Sequence, residues 1–120
     1  MRTRVKGKIT ECFAAWYLRA RGYRILGRNV ATPFGEIDII AEKKDELCFI
    51  EVRYRKTSDF GTPCETVFLK KQRRIIKSAK FLLLAGGYRD TQLRFDVIGV
   101  TRKGLFFRID FIPNAFGGEA

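Results

Sequence analysis

Histidine is absent from this chain of 120 residues. That one absence excludes imidazole general bases, histidine-containing zinc sites and the Ser-His-Asp and Cys-His nucleophile systems. Cysteine is scarce and odd in number. Cys12, Cys48 and Cys64 show no CxxC spacing, which argues against a disulfide framework or a thiolate zinc site. Cys12 and Cys48 lie in apolar settings and read as small core residues. No apolar run approaches the roughly 18–20 residues of a membrane span. The basic start Met1–Lys6 is not followed by a signal-peptide apolar region, because Glu11 and Arg19 interrupt it. A cytoplasmic location with no membrane attachment is the resulting expectation. Repeats, linkers and low-complexity segments are missing as well. The chain therefore reads as a single domain, 1–120, frayed at about 1–6 and 116–120.

Acidic residues are outnumbered too, 13 Asp+Glu against 24 Lys+Arg, which leaves a net charge of +11. Such an excess points to a polyanionic partner, with nucleic acid foremost and an anionic membrane surface or ribosomal contact behind it. An inert basic surface is the plainer alternative. At 46% hydrophobic and 31% charged residues the composition is that of a globular domain. Chemistry in such a chain has to come from carboxylates, Lys, Arg, Tyr or a bound metal.

Periodicity divides the chain into seven elements. Ile9, Phe13, Trp16, Tyr17 and Ala20 recur at three- and four-residue steps, Cys12 widens the stripe, and the spacing predicts a helix over 7–21 closed by Gly22. Strands are predicted at 23–30, 36–42, 47–55, 93–100 and 105–112, the first ended by the Thr32-Pro33-Phe34-Gly35 turn. A loop over 56–63 precedes a second helix that starts between Glu65 and Lys70 and runs to about Leu84. Its apolar face is Ile75, Ile76, Ala79, Leu82 and Leu83, and Gly86-Gly87 stops it. The order αβββαββ describes an α/β domain, a mixed sheet flanked by helices.

Two strands carry acids where apolar residues dominate, in Gly35-Glu36-Ile37-Asp38 and Glu51-Val52-Arg53. Desolvating an unpaired carboxylate costs several kcal/mol, so acids in such strands need a cation, hydrogen-bond donors or a metal ion. With Lys44-Asp45 at the centre of the hairpin, Asp38 lies opposite Glu51 and Glu36 opposite Arg53, each pair projecting to one side. A slip of one residue would part them. Asp38, Glu51 and the carbonyl of Val52 would suit Mg²⁺, which takes one or two protein carboxylates and keeps water for the rest. The competing reading is an ordinary Glu36–Arg53 cross-strand ion pair, with Asp38 and Glu51 matched to Lys or Arg on a solvated face.

The run Gly35-Glu36-Ile37-Asp38-Ile39-Ile40-Ala41, then Phe49-Ile50-Glu51-Val52-Arg53-Tyr54-Arg55, Phe60-Gly61-Thr62-Pro63, Lys71-Gln72-Arg73-Arg74 and Leu93-Arg94-Phe95-Asp96-Val97, resembles the YraN family of small bacterial proteins. The resemblance extends from about Gly7 to Phe116. That family is similar to Holliday-junction-resolvase-like members of the PD-(D/E)xK nuclease superfamily. The resemblance implies a restriction-endonuclease-like αβββαβ core in which Asp38 and Glu51 bind Mg²⁺ or Mn²⁺. It also implies that Glu11 approaches the site from the first helix, or else lies on a solvated helix face, and that Gln72 lines the site from the second. The superfamily pattern places Lys two residues after the second acid, where this chain has Arg53. That exchange is not conservative, since Arg is planar and always protonated. Lys70 or Lys71 on the second helix are the candidates to take over the missing role. Asp96 reads mainly as structural, a partner for Arg94 or a helix terminus.

The function implied is a metal-dependent endonuclease-like protein that binds and cleaves structured or branched DNA. Lys70, Lys71, Arg73, Arg74, Lys77 and Lys80 on the second helix, with Arg53, Arg55 and Lys56, form the expected phosphate-contacting surface. Tyr54, Phe60 and Tyr88 are candidate base-stacking residues. A homodimer matches the two symmetric strands of a junction. Two alternatives stand beside this reading. One is a non-catalytic nucleic-acid-binding module, which the Arg53 departure favours. The other is an RNA-processing nuclease, since phosphate contacts do not distinguish DNA from RNA.

Overall fold

Alternation along the strands decides the architecture. Ile39, Ala41, Cys48, Ile50, Ile98 and Val100 form one buried cluster, while Ile40, Leu47, Phe49 and Phe95 belong to another. Successive residues of a strand face opposite sides, so strands apolar at both parities must be covered on both faces. The computed structural model describes residues 2–56, 69–89 and 91–117, with only the backbone course of 2–7, 55 and 56. Helix α1 (Arg2–Ala20) is followed by β1 (Arg24–Thr32), β2 (Gly35–Lys43) and β3 (Glu46–Lys56). Then come α2 (Leu69–Ala85), β4 (Gln92–Lys103) and β5 (Phe106–Phe116). The expected loop over 56–63, with Phe60, and Cys64 beyond it lie outside the described residues, apart from the backbone of Lys56.

The five strands form one mixed sheet in the order β1-β2-β3-β4-β5. Among the described residues only β3 and β4 run parallel, and the chain between them contains α2. The β2–β3 hairpin pairs Lys43 with Glu46 and Ile39 with Ile50, the register that a turn at Lys44-Asp45 demands. Lys44 takes a left-handed φ of 54° at that turn. Helix α1 covers the first cluster through Ala14, Ala15 and Leu18. Helix α2 covers the second through Ile75, Ile76, Ala79 and Leu82.

Two expectations for α1 are corrected. The helix begins at Arg2 rather than near residue 7. Its inward face is Thr10, Ala14, Ala15 and Leu18, while Ile9, Cys12, Phe13 and Trp16 are exposed. Both stripes have helical period, and periodicity alone does not say which one meets the sheet. Small residues won: alanines let the helix backbone approach the strands closely, and the bulky stripe was left outside. Cys48 is buried as expected, and Cys12 is not.

At the far side of the sheet Asp96 is fully buried and accepts four hydrogen bonds. Three come from Arg94, by Nε at 3.0 and 3.1 Å and Nη2 at 2.9 Å, and one from the Asn114 N–H at 2.7 Å. Arg94 in turn bonds Glu46 and the Tyr23 hydroxyl. This network ties β3, β4 and β5 to the start of β1. It gives Asp96 the structural role expected of it.

Candidate metal and phosphate site

Gly35 leads the chain out of the Thr32–Gly35 turn at φ 143°, a conformation that side chains rarely adopt, and into β2. Ile37, between Glu36 and Asp38, packs in the α2 cluster while both acids line a cavity beneath α2, so alternation along β2 is not strict here. On β3 alternation from Phe49 puts Glu51 on the same side. Asp38 and Glu51, with Gly35 and Glu36, line this cavity of about 240 Å³, closed by Lys71, Arg74, Ile75 and Ser78 of α2. The helical contributions recur at steps of three, four and seven residues, so one face of α2 forms the wall.

Beyond the Ile39–Ile50 pair the hairpin ladder changes partners. The Val52 N–H donates to Asp38 Oδ2 at 2.8 Å. The Asp38 and Glu51 carboxyls face the same cavity. Burial and the facing Glu51 charge push the Asp38 carboxyl up to about 8, against the pull of the Val52 N–H. Glu51 is 5% exposed, and its Oε2 lies 2.6 Å from Lys71 Nζ. Of the two helix lysines considered above, Lys71 reaches the acids. Lys70 is exposed and does not line the cavity.

Glu11 stands nearby on α1. Its charge raises the Asp38 value, although it does not line the cavity. Burial raises the Glu11 carboxyl as well, opposed by a hydrogen bond from Asn29 and the charge of Arg28. Its Oε1 is buried without a hydrogen-bond partner. Asn29 went unnoticed in the sequence. It sits between the Arg28–Ile39 and Val30–Ile37 pairs, opposite Asp38, with a left-handed φ of 52°. The available signal was a polar side chain in the middle of a strand. Asn tolerates that backbone region better than most residues.

The remaining expected residues are spread around this centre. Arg53 follows Glu51 on the same strand face, half-buried and engaged in contacts of its own. Gln72 is half-buried on α2 and is not among the lining residues. Arg73, Arg74 and Lys77 are exposed on α2, as is Lys80. The side chains of Arg55 and Lys56 lie outside the described residues. Tyr54 packs against the α1 cluster and Tyr88 against the α2 cluster, both half-buried.

Among the described residues, no group of three or more acidic or sulfur ligands is gathered at metal-binding range. Two carboxylates with adjoining open volume nevertheless fit the donor set of Mg²⁺ or Mn²⁺, which need few protein oxygens. The raised Asp38 value and the orphaned Glu11 oxygen mark an excess of negative charge that a cation would relieve. The residues present therefore fit such an ion.

Fold and site define a helix–sheet–helix protein with an acid pair facing a cationic helix. The chain belongs to the uncharacterised protein family UPF0102, whose model matches residues 10–100. It is 43% identical over 110 residues to a UPF0102 protein of Myxococcus xanthus, covering 92% of this chain and 87% of that one. It is 45% identical over 112 residues to one from Persephonella marina, with 93% of each chain covered. A UPF0102 protein of Clostridioides difficile is 42% identical over 116 residues, 97% of this chain and 100% of its own. UPF0102 is the family called YraN above. No helix among the described residues is long and apolar enough to cross a membrane.

Proposed function

We propose that this protein is a metal-dependent, nuclease-like phosphodiesterase acting on structured or branched DNA, with a restriction-endonuclease-like core. One observation carries the reading: Asp38 and Glu51 converge on a cavity whose opposite wall supplies Lys71 and Arg74. Mg²⁺ or Mn²⁺ held by Asp38 and Glu51, with the Val52 carbonyl as a further oxygen, would polarise the scissile phosphate and the attacking water. The Val52 N–H orients Asp38. Lys71 and Arg74 hold phosphate oxygens and offset the charge that develops on them. Lys71 thereby takes the role for which Arg53 is unsuited, and Arg53 adds fixed positive charge behind Glu51. Glu11, held by Asn29, contributes negative field at Asp38. Gln72 supports the wall of α2.

The second reading, a module that binds without cutting, is favoured by Glu51 already having Lys71 as a partner at 2.6 Å. RNA in place of DNA is the third. A homodimer also belongs to the proposal, through the exposed side of α1. Phe13 meets Phe107 at 5.7 Å between ring centroids, and Ile9, Cys12 and Trp16 extend the same surface. Exposures of 44–67% on Phe13, Trp16, Phe107 and Ile9, at about 200 Å² per large side chain, amount to roughly 400 Å² of apolar surface. A standard interface of about 800 Å² per partner is a little over half apolar, so this patch supplies what a second copy requires. It lies across the sheet from the cations of α2, which keeps the two basic faces apart.

The test is incubation of a junction, a flap, linear duplex and RNA with Mn²⁺, using wild type, Asp38→Asn and Lys71→Met. Mn²⁺-dependent cleavage abolished by Asp38→Asn and slowed about 100-fold by Lys71→Met is expected. Binding without cleavage transfers the assignment to the second reading. Absence of any salt-sensitive binding removes nucleic acid from both.

A further inference from the structure

Beside the acid cavity, at the tip of the β1–β2 hairpin, an aromatic side chain is held outward. Phe34 is 43% exposed, and its ring makes an edge contact with Phe81 of α2, itself 38% exposed, at 6.4 Å between centroids. Lys77 Nζ lies 6.0 Å from the Phe34 centroid. Burying these rings is the usual outcome for Phe, and two adjacent ones in the open call for a reason.

The turn that carries Phe34 is built to hold it still. The Thr32 hydroxyl accepts the Phe34 N–H at 3.1 Å and donates to the Gly35 carbonyl at 2.8 Å. It also meets the hydroxyl of Ser78, a buried residue of α2, at 2.9 Å. The hairpin tip is thus tied to the helix that bears the cations. Gly35 and Ser78 also line the acid cavity, as does Arg74, one turn of helix from Lys77 and Ser78. The ring and Lys77 thus stand next to residues that line the cavity, Phe34 beside Gly35 and Lys77 beside Ser78.

An exposed ring fixed in place beside lysine and arginine is the arrangement that holds an unpaired nucleobase. The π-face of a base stacks on the ring while cations take the adjoining phosphates. A paired base in duplex offers no free face to such a platform. We infer that Phe34, supported by Phe81 and Lys77, is a stacking platform for an unpaired base next to the phosphate that enters the acid cavity. The inference rests on the nucleic-acid reading above and sharpens it. The ligand is a strand with at least one unstacked nucleotide beside the bound phosphate, as at a flap, a fork or the centre of a junction.

The experiment measures binding at one fixed salt concentration to oligo-dT, oligo-U, a blunt duplex of equal length and a single strand carrying 2-aminopurine. Wild type, Phe34→Ala and Phe34→Tyr are compared, with thermal unfolding as a check that each is folded. Phe34→Ala should weaken binding to the single strands about tenfold or more, the order expected for one stacked base. Duplex binding should change less than about twofold, since its contacts are to phosphates. Phe34→Tyr should restore single-strand binding, and wild type should quench 2-aminopurine where Phe34→Ala does not. A preference for oligo-dT or oligo-U identifies which nucleic acid is the source of the base. Equal losses on single strand and duplex, or no loss on either, overturn the platform while leaving the nucleic-acid reading in place. Failure of wild type to bind the single-stranded probes overturns the platform, and failure to bind a flap and a four-way junction as well overturns the nucleic-acid reading with it.

Discussion

Replacing Asp38 with Asn isolates the electrostatic cost of the acid pair. The amide has the same shape, its oxygen still accepts the Val52 N–H, and its NH₂ group donates toward Glu51. In the wild type the Asp38 carboxyl stands at about 8 against an ordinary 3.8. A carboxyl whose folded value lies above its unfolded one binds protons more tightly in the native state. Stability therefore falls as pH rises from about 4 to about 8, and the penalty is complete above that window. At about 1.4 kcal/mol per unit, the whole shift would amount to roughly 5–6 kcal/mol. Lys71 and the open cavity mouth screen the pair, and a gain of about 1–3 kcal/mol for Asp38→Asn at pH 8 is the expected outcome. For a chain of this length that is about 4–10 °C in melting temperature.

Thermal unfolding in a chelator at pH 5 and pH 8 measures this directly. The advantage of Asp38→Asn should be small at pH 5 and large at pH 8. Mn²⁺ should then raise the melting temperature of wild type, because binding to the folded state alone stabilises it, and leave the variant unmoved. A variant no more stable than wild type at pH 8 would refute the reasoning. So would an advantage that is equal at both pH values. Either result would mean that Asp38 is ionised and satisfied by its neighbours, with no charge left for a cation to relieve.

Asp96→Ala should cost about 3–5 kcal/mol in urea unfolding, because it strands the mostly buried Arg94 guanidinium without its main partner. A loss below about 1 kcal/mol would show that the network does not anchor the sheet. Trp16→Glu places a charge at the centre of the apolar surface on α1. If a second copy occupies that surface, sedimentation should show wild type as a dimer and the variant as a monomer of unchanged melting temperature. A monomeric wild type at high concentration refutes the homodimer.

Much of this fold could be read from the sequence, for physical reasons that apply residue by residue. The turn at Lys44-Asp45 fixes the register of the β2–β3 hairpin as far as the Ile39–Ile50 pair, which brings Asp38 and Glu51 next to one another just beyond it. The apolar face of α2 was legible because Lys70, Arg73, Arg74, Lys77 and Lys80 fall outside it. On α1 two apolar stripes compete, and the sequence does not record that Ala14 and Ala15 permit the closer approach. Asn29 was hidden because its backbone conformation, not its residue type, brings it to Asp38 and Glu11. The choice of Lys71 over Lys70 depends on the phase of α2 relative to the sheet, to about one residue. In the sequence Phe34 is simply part of a turn, since the Thr32–Ser78 contact that fixes it joins residues 46 apart in the chain.

The source of the cations gives this site its character. A lysine on the strand would move with the acids, whereas Lys71 and Arg74 arrive on a helix docked by Ile75, Ile76, Ala79 and Leu82. Packing of α2 and assembly of the site are therefore one event, and the Thr32–Ser78 contact adds the hairpin tip to it. Lys71 holds the Glu51 oxygen that a divalent ion would need under the proposed function. A phosphate entering the cavity would give the lysine another partner and free the carboxylate. Under the proposed function, phosphate and cation thus favour each other's binding, and the Lys71–Glu51 pair is the resting contact that both displace. Under the proposed function the helix supplies the mobile cation, so the strand position can hold the fixed charge of Arg53.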